Sequence, residues 1–462
     1  MNYRLSNYLI ITDIIDEGEV ESDNSHRIVY ATRSGMVLRM KDSMLRALKE
    51  GHFHDIDHQQ MIDLMHLGVI VPSQEDEFDV LLQQNVHMVK AEKDLNITIQ
   101  PTANCQLGCH YCGQQHSKHT IADDVIQKVL HRIDNKMISG KYESISVQWY
   151  GGEPLMAYNQ IVSTSKQLIE KAAEKGITYY ANMITNGLSF KKNVFLKLVT
   201  ECKITDFQIT LDGTAISHDK RRITKTGEST FDIIFSNILD AINTPEYDTH
   251  DVGIVLRMNI DKTNEAYIND LIDMLAEHGF HKKKVKLDFV PIVNWGDKTS
   301  GTDDGLDKDS FAIQEIDWMM YAMEKGFKHN KFVPGRYYAP CMVVKDDSEV
   351  YDAYGNIYPC YEFPYTPRFE NDNYRIGNVA FPEETYNKDA ITRNWNTDIK
   401  TGISFCPSCK LFPVCGGGCP KQWYSKEIAC PSFKHNIEDR LVLEYLANKD
   451  GKNIFDVLQK TS

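Results

Sequence analysis

Three cysteines crowd one short stretch, Cys105-Gln-Leu-Gly-Cys109-His-Tyr-Cys112, directly after the strand-like run Leu95-Asn-Ile-Thr-Ile-Gln100. Thiolates at this spacing on one loop can hold three irons of a 4Fe–4S cube and leave the fourth without a protein ligand, open to a small molecule. A zinc site or a set of buried free thiols would use the same residue type, but structural zinc takes four closed ligands, commonly from CxxC knuckles. Seven further cysteines fall between Cys341 and Cys430. Their spacing is Cys341, Gly355-Asn-Ile-Tyr-Pro-Cys360, Cys406-Pro-Ser-Cys409, Cys415, Cys419 and Cys430. A zinc ribbon is the alternative for this set. The eleventh, Cys202, stands alone in Val199-Thr-Glu-Cys-Lys-Ile204 and reads as a small packed hydrophobe.

The N-terminus, Met-Asn-Tyr-Arg-Leu-Ser, lacks a signal peptide's apolar core, and no apolar run approaches the roughly 18–20 residues of a membrane span. A cytoplasmic protein with no membrane partner is expected, and there cysteines stay reduced, so metal ligation accounts for them better than disulfides. The chain has 462 residues, 42% hydrophobic and 25% charged, enough for two to four domains. A net charge of −14 argues against nucleic acid, which needs clustered Lys and Arg, and tolerates a basic ligand or a peptide better.

Elements must hold the cysteines in place. From Leu95 onward β-rich runs alternate with helical ones: Asn96–Gln100, Ile145–Trp149, Thr178–Ile184, Asp206–Leu211, Val252–Asn259 and Lys284–Pro291. Strand-then-helix order predicts parallel strands with right-handed crossovers. Before it, Arg27-Ile-Val-Tyr-Ala-Thr and Met36-Val-Leu-Arg-Met flank Gly35 as a hairpin, after an acidic link through Asp16, Glu17, Glu19, Glu21 and Asp23. Helices are expected over Asp42–Glu50 and His58–Leu67, then a strand at Val69–Val71, together a winged-helix-like unit. Its second helix carries no Arg or Lys for phosphates or guanine edges, which argues against DNA. Residues 72–94 read as a polar linker, and Ile437–Leu446 as a closing helix.

CxxxCxxC with an aromatic, Tyr111, before its last cysteine resembles the signature of the radical S-adenosylmethionine (SAM) enzymes, and the later cysteines resemble their SPASM branch. The resemblance covers about residues 95–435. It implies an α/β fold: a partial (β/α)6 barrel over 95–320, a winged-helix-like domain plus linker over 1–94, a SPASM domain over 321–440 and a C-terminal tail over 441–462. Tyr150-Gly151-Gly152-Glu153-Pro154, roughly forty residues after the cysteines, is similar to the family's GGEP turn, with Glu153 for the SAM ammonium. Thr185-Asn186-Gly187 and Thr210-Leu-Asp212-Gly213 are similar to its ribose and carboxylate contacts, and Arg222 in His218-Asp-Lys-Arg-Arg222 to a carboxylate clamp. Arg257 and Asn259 resemble its RxN pair. His110, His116 and His119 read as polar loop residues rather than ligands.

The same resemblance implies three 4Fe–4S clusters and SAM as cofactors. Cys105, Cys109 and Cys112 would hold the SAM-binding cluster, Cys406, Cys409, Cys415 and Cys430 one auxiliary cluster, and Cys341, Cys360 and Cys419 the other. The last is one ligand short, to be closed by Asp346, Asp347, water or a substrate thiolate. In sulfatase-maturing relatives an acidic residue thought to accept a proton follows the cysteine equivalent to Cys360; here the order is Cys360-Tyr361-Glu362, so Tyr361 and Glu362 are the candidate proton acceptors. The expected activity is that of a peptide maturase in which a deoxyadenosyl radical takes hydrogen from a ribosomal precursor peptide. A crosslink or other oxidation results, with residues 1–94 recruiting the leader and a flavodoxin or ferredoxin supplying electrons. Sulfatase maturation and a non-catalytic iron–sulfur scaffold are the rivals.

Overall fold

The computed structural model describes residues 2–14, 25–292, 304–329, 331–448 and 455–456. The acidic link and most of the C-terminal tail lie outside the described residues. The chain divides into two compact units, one of residues 1–91, 329–345 and 394–462, the other of residues 92–328 and 346–393. The segment 321–440 is thus shared between them.

In the first unit β1 (Tyr3–Leu5) pairs antiparallel with β5 (Ile70–Pro72). Strands β2 (Leu9–Ile14), β3 (His26–Ala31) and β4 (Met36–Lys41) form an antiparallel meander, with Phe455–Asp456 along the outer edge of β4. The β3–β4 turn needs Gly35: its φ is +70°, and a Cβ there would stand 2.3 Å from the Arg336 backbone nitrogen. Helix α1 (Asp42–Glu50) stops at Gly51 in the left-handed region. Helix α2 (His58–His66) starts at Asp57, whose carboxylate accepts from the Gln59 and Gln60 amides. Leu45, Leu48 and Leu64 pack with Leu9, Val29 and Leu38 on one sheet face. Ile28, Tyr30 and Val37 on the other meet Leu441 of helix Ile437–Ala447. Both faces carry buried apolar side chains, so apolar residues recur at successive positions in the middle of β3.

Residues 72–94 are not a linker. They contain α3 (Glu77–Ala91), whose Leu81 and Leu82 are buried with Trp395, Phe412 and Trp423. Its acidic start, read as solvent-facing, is partly internal: Glu77 accepts from Ser6, from the Asn7 amide and from Arg4 and Arg33.

The second unit has six parallel strands in sequence order: β6 (Asp94–Ile99), β7 (Ser144–Trp149), β8 (Thr178–Thr185), β9 (Ile204–Thr210), β10 (Gly253–Ile260) and β11 (Val285–Pro291). Each expected strand lies within a residue or two of an observed one. Helices α4 (Asp123–Ile138), α5 (Tyr158–Glu174), α6 (Lys192–Thr200), α7 (Ala215–Arg221) and α8 (Phe231–Ile242) follow successive strands, as do Ile268–Glu277 and Lys308–Glu324. Ile97, Val147, Met183, Phe207 and Leu256 are all essentially buried between the layers. Beyond β6 the sheet continues with β12 (Glu349–Tyr351), β13 (Asn356–Tyr358) and β14 (Gly377–Asn378). Because β6 to β11 run parallel, the loops after them gather at one edge, where the sequence motifs lie. Among the described residues no helix is long and apolar enough to cross a membrane.

Candidate active site

The cysteine loop leaves β6 and is gripped by the turn after β7. Gly151 and Gly152 have φ of +85° and +53°; a Cβ on Gly151 would strike the Gln100 side chain, and one on Gly152 would sit 2.5 Å from the Asn104 carbonyl oxygen. The Glu153 amide donates to that same carbonyl at 2.7 Å. Gly152 is there because two backbones touch, and Gly151 because the Gln100 side chain fills the space of a Cβ.

Glu153 lies inside the protein. Its carboxylate is fully buried and accepts from the Leu155 amide (3.0 Å), Thr185 Oγ1 (2.6 Å) and the Asn186 amide (2.7 Å). Burial pushes its carboxyl up, and these donors with Arg222 work against that rise. Glu153 therefore ties the β7 turn to the end of β8. Asp212, also fully buried, likewise works behind the wall. Its Oδ2 accepts from Tyr111 Oη at 2.5 Å and its Oδ1 from the Asn259 amide at 2.9 Å.

Tyr111 thereby becomes a junction. Its hydroxyl also accepts from Arg222 Nη1 (2.5 Å) and Asn259 Nδ2 (3.1 Å), joining the cysteine loop to α7 and β10. Burial holds its pKa well above the ordinary tyrosine value, so it stays a donor to Asp212. The two neighbouring arginines divide the work. Arg221 is paired with Asp261 at 2.6 Å under the Tyr111 ring, whereas Arg222 borders a cavity.

That cavity, of about 290 Å³, brings together Cys105, Cys109, Tyr111 and Cys112 with Gly152, Thr185 and Asn186. Thr210, Arg222, Arg257 and Asn259 line it too, as do Tyr150, Tyr361 and Glu362. Of the expected site residues in this unit, Gly151, Glu153, Pro154, Asp212 and Cys360 do not line it. Tyr150, Gln114, His116, Gln208 and Thr366 do, without having been singled out as contacts; the position of Tyr150 before the Gly-Gly turn was the available signal. Tyr150 Oη donates to Glu362 Oε1 at 3.4 Å, and the Tyr361 ring stands edge-on to that of Tyr150 at 5.4 Å. Arg257 is held by Asn259 Oδ1 (3.0 Å) and Asp288 (3.5 Å), whose carboxyl burial pushes up.

The donor set fits a cluster. Burial pushes the Cys105 thiol up to about 12 and Cys112 to about 11, so without a cation they stay protonated, and iron would take them as thiolates. Asn186 Nδ2 donates to Cys105 Sγ at 3.8 Å, and His116 Nε2 is 3.9 Å from Cys112 Sγ. Among the described residues no three His, Cys, Asp or Glu side chains converge as one metal ion requires. A cube does not ask them to, since each thiolate takes a different iron.

In the first unit Cys406, Cys409, Cys415 and Cys430 lie close enough to act on one another: burial pushes Cys415 up to about 12, and the other three thiols add to the rise. Lys434 Nζ donates to Cys430 Sγ at 3.5 Å. Cys341 is raised to about 12 by burial, with Cys419 adding to it. Cys360 belongs to the second unit, buried just beyond β13. Asp347, weighed as a cluster ligand, is occupied elsewhere: it accepts from Lys141 at 2.8 Å and from Tyr142, with Lys136 at 3.7 Å.

No protein-family model matches the chain. It is 23% identical over 403 residues to the cysteine-type anaerobic sulfatase-maturating enzyme of Clostridium novyi (strain NT), covering 78% of this chain and 96% of that one. To the radical SAM cyclopropyl synthase TigE of Paramaledivibacter caminithermalis it is 22% identical over 314 residues, 56% of this chain and 65% of the other. The fold is similar to that of native anSMEcpe with bound AdoMet and the Kp18Cys peptide, with a TM-score of 0.55 and 18% identity over 77% of this chain and 99% of that one. In motifs, parallel sheet and relatives the chain resembles the radical SAM maturases.

Proposed function

We propose that the chain is a SPASM-type radical SAM maturase, built on a partial (β/α)6 barrel, that removes hydrogen from a residue of a ribosomal precursor peptide and so forms a thioether or carbon–carbon crosslink or another oxidation. The observation that carries this reading is that one cavity is lined both by the three cluster cysteines and by the Tyr150–Glu362 pair with Tyr361. Cys105, Cys109 and Cys112 would hold a cluster, and SAM bound beside it would supply hydrogen-abstracting radical chemistry. The protein's residues do the rest. Arg222, held by Tyr111, lines the cavity with a guanidinium suited to an anionic group such as the SAM carboxylate. Thr185 and Asn186, fixed by Glu153, offer polar atoms beside Cys105. Glu362 is the group to accept a proton at Oε1 when the substrate is oxidised, with Tyr150 orienting it. By the resemblance, Cys406, Cys409, Cys415 and Cys430 would hold one auxiliary cluster and Cys341, Cys360 and Cys419 the other; such clusters would supply electron-transfer chemistry, with a flavodoxin or ferredoxin as the reductant. Residues 1–94 would recruit the leader of the peptide.

A second reading, oxidation of a sulfatase Cys or Ser to formylglycine, is favoured by one observation: Glu362 reaches the cavity although it stands one residue later than the acidic residue of those maturases. One experiment separates them. The anaerobically reconstituted chain is given SAM, a reductant and either a precursor peptide or a sulfatase-derived cysteine peptide, and deoxyadenosine and peptide mass are followed together. Loss of two hydrogens from the precursor alone supports the first reading, and conversion of the sulfatase peptide alone supports the second. Absence of deoxyadenosine in both sinks them together and leaves the scaffold. Glu362→Gln should keep deoxyadenosine formation and lower peptide conversion by about 10²-fold or more.

A further inference from the structure

In the first unit a cavity of about 770 Å³ opens where the β3–β4 turn, the end of α2, the outer face of α3 and residues 336–338 meet. A second, of about 420 Å³, adjoins it through Gln83 and His87 and runs on along α3 past Lys90. Neither is lined by a single Asp or Glu, in a chain whose net charge is −14. The acids nearby are spent on other cations. Glu75 and Glu77 hold Arg33 at 2.6 and 2.9 Å, and Asp79 holds Lys400.

Arg336 differs from Arg33. Among the described residues no carboxylate pairs with it; its guanidinium lies 4.4 Å from the Tyr338 ring centre and donates only to Asn85 Oδ1 (2.6 Å) and to the Tyr337 and Pro413 carbonyls. The close approach of Gly35 to residues 335–336 fixes its backbone. Burial, with Arg33 nearby, disfavours its charge, so an anion would be welcomed there. Met65 and Met88 stand 40% and 44% exposed in the same trough, flexible apolar surface of the kind that adapts to varied side chains. A stacked guanidinium without a carboxylate partner among the described residues, in a trough that two exposed methionines also line, suits a carboxylate flanked by apolar side chains. The chain's net charge of −14 disfavours a nucleic-acid backbone.

We infer that this trough along α3 docks a segment of the peptide substrate that carries an acidic residue among apolar ones, the carboxylate on Arg336 and the apolar side chains on Met65 and Met88. The identity of the occupant rests on the peptide-maturase reading above; the chemistry of the trough stands apart from it. The test uses the full, reconstituted chain and anisotropy of a short fluorescein-labelled peptide of Leu, Glu and Gly, with a Lys-for-Glu peptide and a single-stranded oligonucleotide as comparisons. The Glu peptide should bind and the other two should not. Gln84→Glu with His87→Glu, both on the exposed face of α3, should weaken binding by about tenfold, and Arg336→Ala on the order of thirtyfold. Equal binding of the Lys peptide, tighter binding of the oligonucleotide, or wild-type affinity in the α3 double variant would each overturn the proposal. Deoxyadenosine formed by the wild-type chain is read in parallel. Its absence removes the maturase reading while anisotropy still decides the trough; its presence with charge-independent binding removes the trough alone.

Discussion

Replacing Tyr111 by Phe removes one oxygen from the place where three elements meet. The hydroxyl donates to Asp212 and accepts from Arg222 and Asn259. Asp212 has no exposure and cannot recruit water for the lost donor, whereas Arg222, at 6% exposure, faces the cavity and can. A hydrogen bond to a charged group contributes roughly 1.5–3 kcal/mol, so with only the Arg222 side rescued the unfolding free energy should fall by about 2–3 kcal/mol. Arg222, no longer tied, should also clamp an anionic ligand less well. The loss of one such bond's worth of positioning corresponds to about a 10- to 30-fold rise in the KM for SAM, with a smaller effect on kcat. Denaturant unfolding of the cluster-free chain reads the first quantity, and anaerobic deoxyadenosine kinetics the second. Unfolding within about 0.5 kcal/mol of wild type together with an unchanged KM would refute the junction.

Three further outcomes are expected. Cys105→Ala should lose the iron of the cysteine loop and all deoxyadenosine formation while keeping the iron bound through Cys406, Cys409, Cys415 and Cys430, as read by iron analysis and EPR; iron falling to zero would contradict separate sites. Gly152→Ala places a Cβ at positive φ, 2.5 Å from the Asn104 carbonyl, and should destabilise the chain by more than the roughly 1–2 kcal/mol of the φ strain alone, checked by denaturant unfolding. Burial alone would raise the Asp347 carboxyl, but Lys141, Tyr142 and Lys136 bring it down to about 2. A folded pKa below the unfolded one stabilises at pH above the ordinary carboxylate range and loses that contribution as pH falls toward about 2, so Asp347→Asn should flatten the acid limb of stability. Its iron content should match wild type; a deficit would return Asp347 to the cluster.

What could be read in advance was whatever is written locally. The six strands of the second unit announce themselves as short β-rich runs, and because parallel order sends their ends to one edge, the Cys105–Cys112 loop and the Gly-Gly, Thr-Asn-Gly and Leu-Asp-Gly turns had to meet. The roles of Glu153 and Asp212 were not local. A carboxylate in a motif reads the same whether it faces a ligand or three backbone and hydroxyl donors, and only the fold decides. Helix α3 failed for a different reason. Phe78, Leu81, Leu82, Val86 and Val89 recur at helical spacing, yet Glu75, Asp76, Glu77 and Asp79 ahead of them drew the reading toward solvent, although acids belong in the first turn of a helix. Arg4 and Arg33, which neutralise Glu77, are 73 and 44 residues away in sequence, and the aromatic floor under Leu81 and Leu82 comes from residues 395–423. That distance is why the trough beside α3 leaves no motif: its cation, Arg336, acquires meaning only when Gly35 and Asn85 are folded against it.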